Sequence, residues 1–93
     1  MKALCSVHDS CAEVWADPFT SVNTGSAIRS FSDAVNNDGN DLNAHPEHFN
    51  LYQIGSWNPD DGFAEFFTEP KILVRAIDVK MASDQLPMFE GQK

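Results

Sequence analysis

The chain is short of positive charge and of long apolar runs, and each shortage excludes a class of function. Only six Lys and Arg residues stand against fourteen Asp and Glu, a formal net charge of −8 over 93 residues. This balance argues against bulk electrostatic attraction to nucleic acid or to an anionic membrane, although it leaves room for a local basic patch. No run approaches the ~18 apolar residues of a membrane-spanning helix. We therefore expect a soluble, acidic protein without a membrane partner.

Cysteine is also scarce. Cys5 and Cys11 are the only two, and a disulfide would need their Cα atoms within roughly 7 Å. The predicted pairing of the first two strands does not place them opposite each other. The first five residues contain one lysine and no sustained apolar region, unlike a signal peptide. We expect two reduced thiols in a cytoplasmic protein.

What the chain does contain is enough apolar material for one core. Hydrophobic residues make up 42% of it and aromatic residues 11%, including seven Phe and two Trp. A chain of this length forms one domain. We place that domain at residues 1–80 and predict a loosely ordered C-terminal tail over residues 81–93, where periodicity is lacking.

Two strands are predicted at the start of the chain, over residues 3–8 and 14–19. Alternation gives one small, apolar face that we assign to the core: Ala3, Cys5, Val7, Val14 and Ala16. Trp15 falls on the other, wetter face, beside Leu4. An exposed Trp is either covered by another element or part of a binding surface.

One amphipathic helix of about three turns is predicted next. Asn23 suits its N-cap, and apolar residues then recur at helical spacing: Ala27, Ile28, Phe31, Ala34 and Val35. The polar run from Asn36 ends the helix. Asn43 is a second candidate cap, for a single turn through residues 45–48.

The second half of the chain predicts three more strands. A hairpin over residues 49–67 turns at residues 58–62, and a last strand, apolar on both sides, covers residues 72–79. The order ββαβββ indicates an α+β fold. We expect a mostly antiparallel sheet of about five strands with one amphipathic helix on one face.

Both faces of the predicted hairpin are apolar. Alternation puts Tyr52, Ile54, Ala64 and Phe66 on one face, and Leu51, Trp57, Phe63 and Phe67 on the other. One short helix covers only one of them. The second face is therefore either a homo-oligomer interface or a platform for a ligand.

No pattern for a metal site or a catalytic centre stands out. His45, Glu47 and His48 lack the two closely spaced ligand pairs of a zinc site. Asp60 and Asp61 lie in a turn, where Asp is an expected turn former. No glycine-framed nucleophile or phosphate-binding loop is present. We therefore expect no metal, no cofactor and no enzymatic activity.

A site for single-stranded nucleic acid needs aromatic side chains beside cations. The candidates for stacking are Trp57, Phe63 and Phe67. The candidates for phosphate contacts are Arg29, Lys71, Arg75 and Lys80. Because Glu65 and Glu69 lie among the aromatic residues, the residues alone favour an oligomer interface over a base platform.

Several short motifs nevertheless occur in a fixed order over about residues 1–80. They are Ser6-Val7-x-Asp9, Pro18-Phe19, Asn23-x-x-x-Ala27-x-Arg29-x-Phe31 running to Val35-Asn36, His45-Pro46-x-x-Phe49-x-Leu51-Tyr52-x-Ile54-Gly55, an acidic turn closing on Gly62, and Pro70 before Val74-Arg75-Ala76-Ile77-Asp78. Together they resemble the small nonstructural protein of gokushovirus-type microviruses, icosahedral phages with circular single-stranded DNA genomes.

The resemblance implies a nonstructural viral protein, present in the cytoplasm of the infected bacterial host and absent from the virion. In that family the protein is assigned a role in the switch from duplex replication to synthesis of packaged single-stranded genomes, and it is often described as DNA-binding. Arg29 and Arg75 lie in the matching motifs and are the better functional candidates. For Arg75, a buried ion pair with Asp78 or Glu65 is the structural alternative.

Two functions follow from these observations. The first is a homodimer that binds single-stranded DNA, since a dimer concentrates a few cations along one groove. The second is an acidic protein-interaction factor that binds the phage or host replication machinery without contacting DNA, which the net charge favours. We favour the first. The deciding feature is whether the four candidate cations converge on one face.

Overall fold

Five strands form one antiparallel sheet in the computed structural model, which describes residues 1–81. They are β1 (Lys2–Asp9), β2 (Val14–Trp15), β3 (Phe19–Ser21), β4 (Phe49–Asn58) and β5 (Phe63–Arg75). β4 lies between β1 and β5, while β2 and β3 both pair with the other edge of β1. The predicted α+β class and five-stranded antiparallel sheet are confirmed.

The order of elements differs from the predicted ββαβββ. The predicted second strand is divided into β2 and β3, because Pro18 has no N–H to donate to a ladder. The predicted fourth and fifth strands are one strand, since β5 runs through Pro70. Proline is tolerated there because β5 is an edge strand with a bulge at this point. Residues 76–79 form a helical turn, α3 (Ala76–Val79), instead of extending the last strand.

The main helix, α1 (Thr24–Val35), is where the sequence predicts it. The Asn23 side chain accepts a hydrogen bond from the backbone N–H of Ser26 at 2.8 Å, as an N-cap does. The second predicted cap is wrong. Asn40 caps α2 (Asp41–Ala44), and Asn43 instead donates its side-chain amide to the carbonyl oxygen of Val35 at 3.0 Å. A 3-10 turn, Pro46–His48, then leads into β4.

The core lies between α1 and one face of the sheet, which we call the helix face. Its buried members are Ala3, Cys5 and Leu51 from the sheet, Ala27, Phe31 and Val35 from α1, and Ala76 from α3. Ala3 and Cys5 belong to the face that the sequence assigns to the core. We call the opposite side of the sheet the open face, because α1 does not cover it.

A bulge in β4 changes which residues lie on the open face. Cys5 pairs with Gln53 and Leu4 with Gly55, so Ile54 is an extra residue that reverses the alternation beyond it. Trp57 consequently pairs with Lys2, which lies on the open face. The prediction that Trp57 shares a face with Leu51 and Phe63 is therefore wrong.

The first ten residues of β5 are exposed, which distinguishes this strand from β1 and β4. Within residues 1–81, no helix is long and apolar enough to cross a membrane. The tail predicted over residues 81–93 lies outside the described residues apart from Met81.

Candidate nucleic-acid interface

Three ring side chains gather on the open face. His8 on β1 is the register partner of Trp15 on β2, and their ring centroids are 4.6 Å apart. The Tyr52 ring from β4 lies 4.9 Å from that of Trp15 and 6.3 Å from that of His8. Trp15 remains 44% exposed. The cluster therefore keeps an exposed aromatic surface on which a base could stack.

Hydrogen bonds beside the cluster hold Trp15 in place. The Ser6 hydroxyl donates to the carbonyl oxygen of Ala16 at 2.7 Å, and the N–H of Ala16 donates to the carbonyl oxygen of Val7 at 2.8 Å. Ser6 is only 3% exposed although it lies on the open face. These bonds fix the residue after Trp15 against β1, so a strand of two residues is still well positioned.

A second aromatic group lies farther along the open face. Trp57 pairs with Ala64, and Phe66 pairs with Gly55 and is 67% exposed. Gly55 allows β5 to approach β4 closely. A Cβ at this position would overlap the carbonyl oxygen of Glu65 and lie 3.0 Å from the Cα of Phe66.

Among residues 1–81, the open face carries one cation near each end. Lys2 is the register partner of Trp57, and Arg75 is the register partner of Asn50, which also pairs with His8. Seven residues of β4 separate these two positions, on the order of 20 Å at the usual rise of a strand. A single strand laid along β4 would meet a positive charge beside each aromatic group.

Arg75 is held by Asp78. Its Nε donates to Oδ2 at 2.9 Å and its Nη2 to Oδ1 at 3.0 Å, and both side chains are at least half exposed. Hydrogen bonding to Asp78, together with the attraction of that carboxylate, raises the pKa of Arg75 further above its ordinary value. The ion pair between Arg75 and Asp78 that the sequence suggests is thus present, but it lies on the surface and is not buried. Asp78 offsets part of the charge that Arg75 offers to a phosphate.

The structure does not bring the other candidate cations to this face. Lys71 pairs with Gln53 on the helix-face side of the sheet. Arg29 is exposed on α1. Lys80 donates from Nζ to the carbonyl oxygen of Asn43 at 3.1 Å. Of the four predicted cations, only Arg75 lies on the open face.

The three predicted stacking residues are also separated. Trp57 lies on the open face. Phe63 pairs with Asn58 on the other side of the sheet and is 73% exposed. Phe67 is 40% exposed and lies in a stretch of β5 without register partners in β4.

The sequence-based site lacked Lys2, His8, Trp15 and Tyr52. A signal for two of them existed, since alternation puts His8 and Trp15 on the wetter face of the first two strands. What could not be read locally is the pairing of β1 with β4, which places Tyr52 beside Ser6. Long-range strand pairing thus builds the cluster.

The remaining candidates for chemistry within residues 1–81 are metal ligands and thiols. No group of three or more His, Cys, Asp or Glu side chains there is arranged to hold a metal ion. Cys5 is buried and Cys11 is exposed, and both are free thiols. Burial raises the pKa of the Cys5 thiol.

A protein-family model described as Phage ORF5 protein matches residues 2–79 of the chain. The matched span contains every strand and helix described above and both cations of the open face. No curated protein and no solved structure matches the chain.

Proposed function

The chain belongs to the Phage ORF5 protein family, and on that premise we propose that it is a nonstructural phage protein that binds single-stranded DNA through its open face. The resemblance to the gokushovirus-type protein supports a role in the switch to single-stranded genome synthesis. It also supports a location in the cytoplasm of the infected host, outside the virion. The protein acts in this proposal by binding and not as an enzyme.

The observation that carries the proposal is the composition of the open face. Two aromatic groups, one around Trp15 and one around Trp57, lie on it with Lys2 and Arg75 near its ends. Unpaired bases stack on such side chains with little sequence preference, whereas the bases of a duplex are already stacked on one another. We therefore expect a preference for single strands.

The small number of cations sets the expected salt dependence. Two phosphate contacts per protomer would make the logarithm of the affinity fall with a slope of about −1.4 against the logarithm of salt concentration. The net charge of −8 adds repulsion at low salt. Formation of a homodimer, which we include in the proposal, doubles the cations on one surface.

The test is a fluorescence-anisotropy titration of labelled single-stranded and duplex oligonucleotides at low and at physiological salt. Trp57→Ala should weaken single-strand binding about 5- to 150-fold, because stacking contributes about 1–3 kcal/mol per base. Lys2→Ala should make the salt slope shallower by about 0.7 per protomer. Arg29→Ala, an equal charge change on the exposed side of α1, is the matched control and should leave binding unchanged. Absence of binding to either form at low salt would refute the proposal.

The second candidate is an acidic factor that binds the phage or host replication machinery without touching DNA. The net charge, the Asp78 carboxylate on Arg75 and the failure of the four predicted cations to converge on one face favour it. The same titration separates the two candidates. If the folded protein does not bind single-stranded DNA at low salt, its partner should be sought among replication proteins.

A further inference from the structure

The outer edge of β5 is an unusual surface. Among the described strands, β5 pairs only with β4, and it is 13 residues long. A free edge presents backbone N–H and C=O groups that can pair with another strand. Its side chains are exposed as well, with Phe63 at 73%, Phe66 at 67% and Ile72 at 49%.

We propose that β5 pairs in antiparallel fashion with β5 of a second copy of this chain, about a two-fold axis at Thr68. In this register Glu65 of each copy lies opposite Lys71 of the other, and Ala64 lies opposite Ile72. The contact is therefore self-complementary in charge, as a two-fold interface requires. Each dimer gains two cross-strand pairs of opposite charge.

The orientation of the side chains fits this register. Residues directly opposite each other across a strand pair must lie on the same face. Glu65 pairs with Ser56 and Lys71 with Gln53, so both lie on the helix-face side. Ala64 and Ile72 pair with Trp57 and Tyr52, so both lie on the open face.

Neighbouring registers fit less well. An axis at Phe67 would set Glu65 of one copy opposite Glu69 of the other, and like charges in that position are destabilising. An axis at Pro70 would set Glu65 opposite Arg75. That pair is excluded because Arg75 lies on the open face and Glu65 on the helix-face side.

The irregular middle of β5 agrees with pairing to a second copy. Residues 67–70 have no register partner in β4. Pro70 lies opposite Phe66 in the proposed register, and because it has no N–H, this pair is a non-hydrogen-bonded one. Thr68, two residues away, then lies opposite its own copy in another such pair, with Cα atoms about 4.5 Å apart.

The dimer would join the two open faces into one surface. Because opposite residues share a face, the open faces of both copies point the same way, and Lys2 and Arg75 are present twice on that side. The pairing deepens the proposed function, but it forms without nucleic acid. It can therefore be tested in the absence of DNA.

The first experiment measures the mass in solution, without DNA, by sedimentation over a range of concentrations. The natural chain should be a dimer. Glu65→Lys and Lys71→Glu should each raise the dimer dissociation constant at least tenfold. The double exchange E65K/K71E should return the dissociation constant to that of the natural chain. Asp33→Lys, the same charge change on exposed α1, is the control and should leave the dimer intact.

The second experiment uses the expected short distance at the axis. In a Cys11→Ser background, Thr68→Cys should form an intermolecular disulfide on mild oxidation, because about 4.5 Å between Cα atoms is within disulfide range. Ser30→Cys on α1 should not. A natural chain that is monomeric, or a dimer insensitive to both single charge reversals, would overturn the edge pairing. A monomer that still binds single-stranded DNA refutes the dimer but not DNA binding, whereas a dimer that binds none refutes DNA binding but not the pairing.

Discussion

The two halves of the β4–β5 hairpin have similar apolar content but different surroundings. The bulge at Ile54 divides the hairpin into a near half and a far half. In the near half, before the bulge, α1 covers the sheet and Leu51 is fully buried. In the far half, beyond the bulge, Phe63 and Phe66 are mostly exposed. Only the near half belongs to the core.

This difference separates folding from binding within one element. The near half stabilises the domain by burying apolar side chains against α1. The apolar side chains of the far half lie outside that core, and exposed apolar residues in such number mark an interaction surface. Substitutions in the two halves should therefore have different consequences.

The largest effect is expected for Leu51→Ala. Removing a fully buried Leu side chain should lower the free energy of unfolding by about 2–5 kcal/mol. Phe66→Ala, in the far half, removes a larger but exposed side chain and should change it by less than about 1 kcal/mol. Urea denaturation followed by circular dichroism measures both. Equal losses for the two variants would contradict the division of the hairpin.

A smaller loss is expected at the junction of the halves. Gly55→Ala adds a Cβ that overlaps the backbone of β5, which should lower the free energy of unfolding by about 1–3 kcal/mol. In Gly25→Ala the new Cβ meets only the Asn23 side chain, at 3.4 Å. This control should be neutral or stabilising by about 0.5–1 kcal/mol, as Ala is the better helix former. Loss of stability in the control alone would contradict the proposed close approach.

A substitution at the N-cap of α1 tests the helix that covers the near half of the hairpin. Asn23→Ala leaves the N–H of Ser26 without its partner and should lower the free energy of unfolding by about 1 kcal/mol. Asn37→Ala is a matched control, because its side chain makes no hydrogen bond within residues 1–81. If thermal unfolding shows the same midpoint for both variants, Asn23 does not cap the helix.

The two thiols provide a probe of the core that has little effect on stability. Cys5 is buried on the helix face, and burial raises the pKa of its thiol, whereas Cys11 is exposed. A thiol reagent at neutral pH should modify one equivalent rapidly and the second only after denaturation. Cys11→Ser should abolish the rapid phase. Rapid labelling of both thiols in the natural chain would show that α1 does not protect the core.

Local patterns in the sequence predicted the parts of the fold that depend on neighbouring residues. The spacing of Ala27, Phe31 and Val35 after Asn23 is sufficient to predict α1. The extra residue at Ile54, in contrast, is visible only once β1 is paired with β4. It moves Trp57 to the other face, which no local alternation could indicate.

The candidate site was less predictable for the same reason. Lys71 and Arg75 are four residues apart and would share a face in a regular strand. A second irregularity, between the pairs Leu51–Val74 and Tyr52–Ile72, makes Leu73 the extra residue and separates them. Lys71 and Arg75 therefore do not lie on the same face, whereas Lys2 reaches the open face through a pairing across more than 50 residues.

The most direct test of the open face is intrinsic tryptophan fluorescence. Trp15 and Trp57 are the only tryptophans, and both lie on this face. Unlabelled oligothymidine should quench their emission to saturation, a duplex of equal length should quench it less, and added salt should restore it. Emission that stays unchanged at low salt, at every concentration of single-stranded DNA, would contradict DNA binding at the open face.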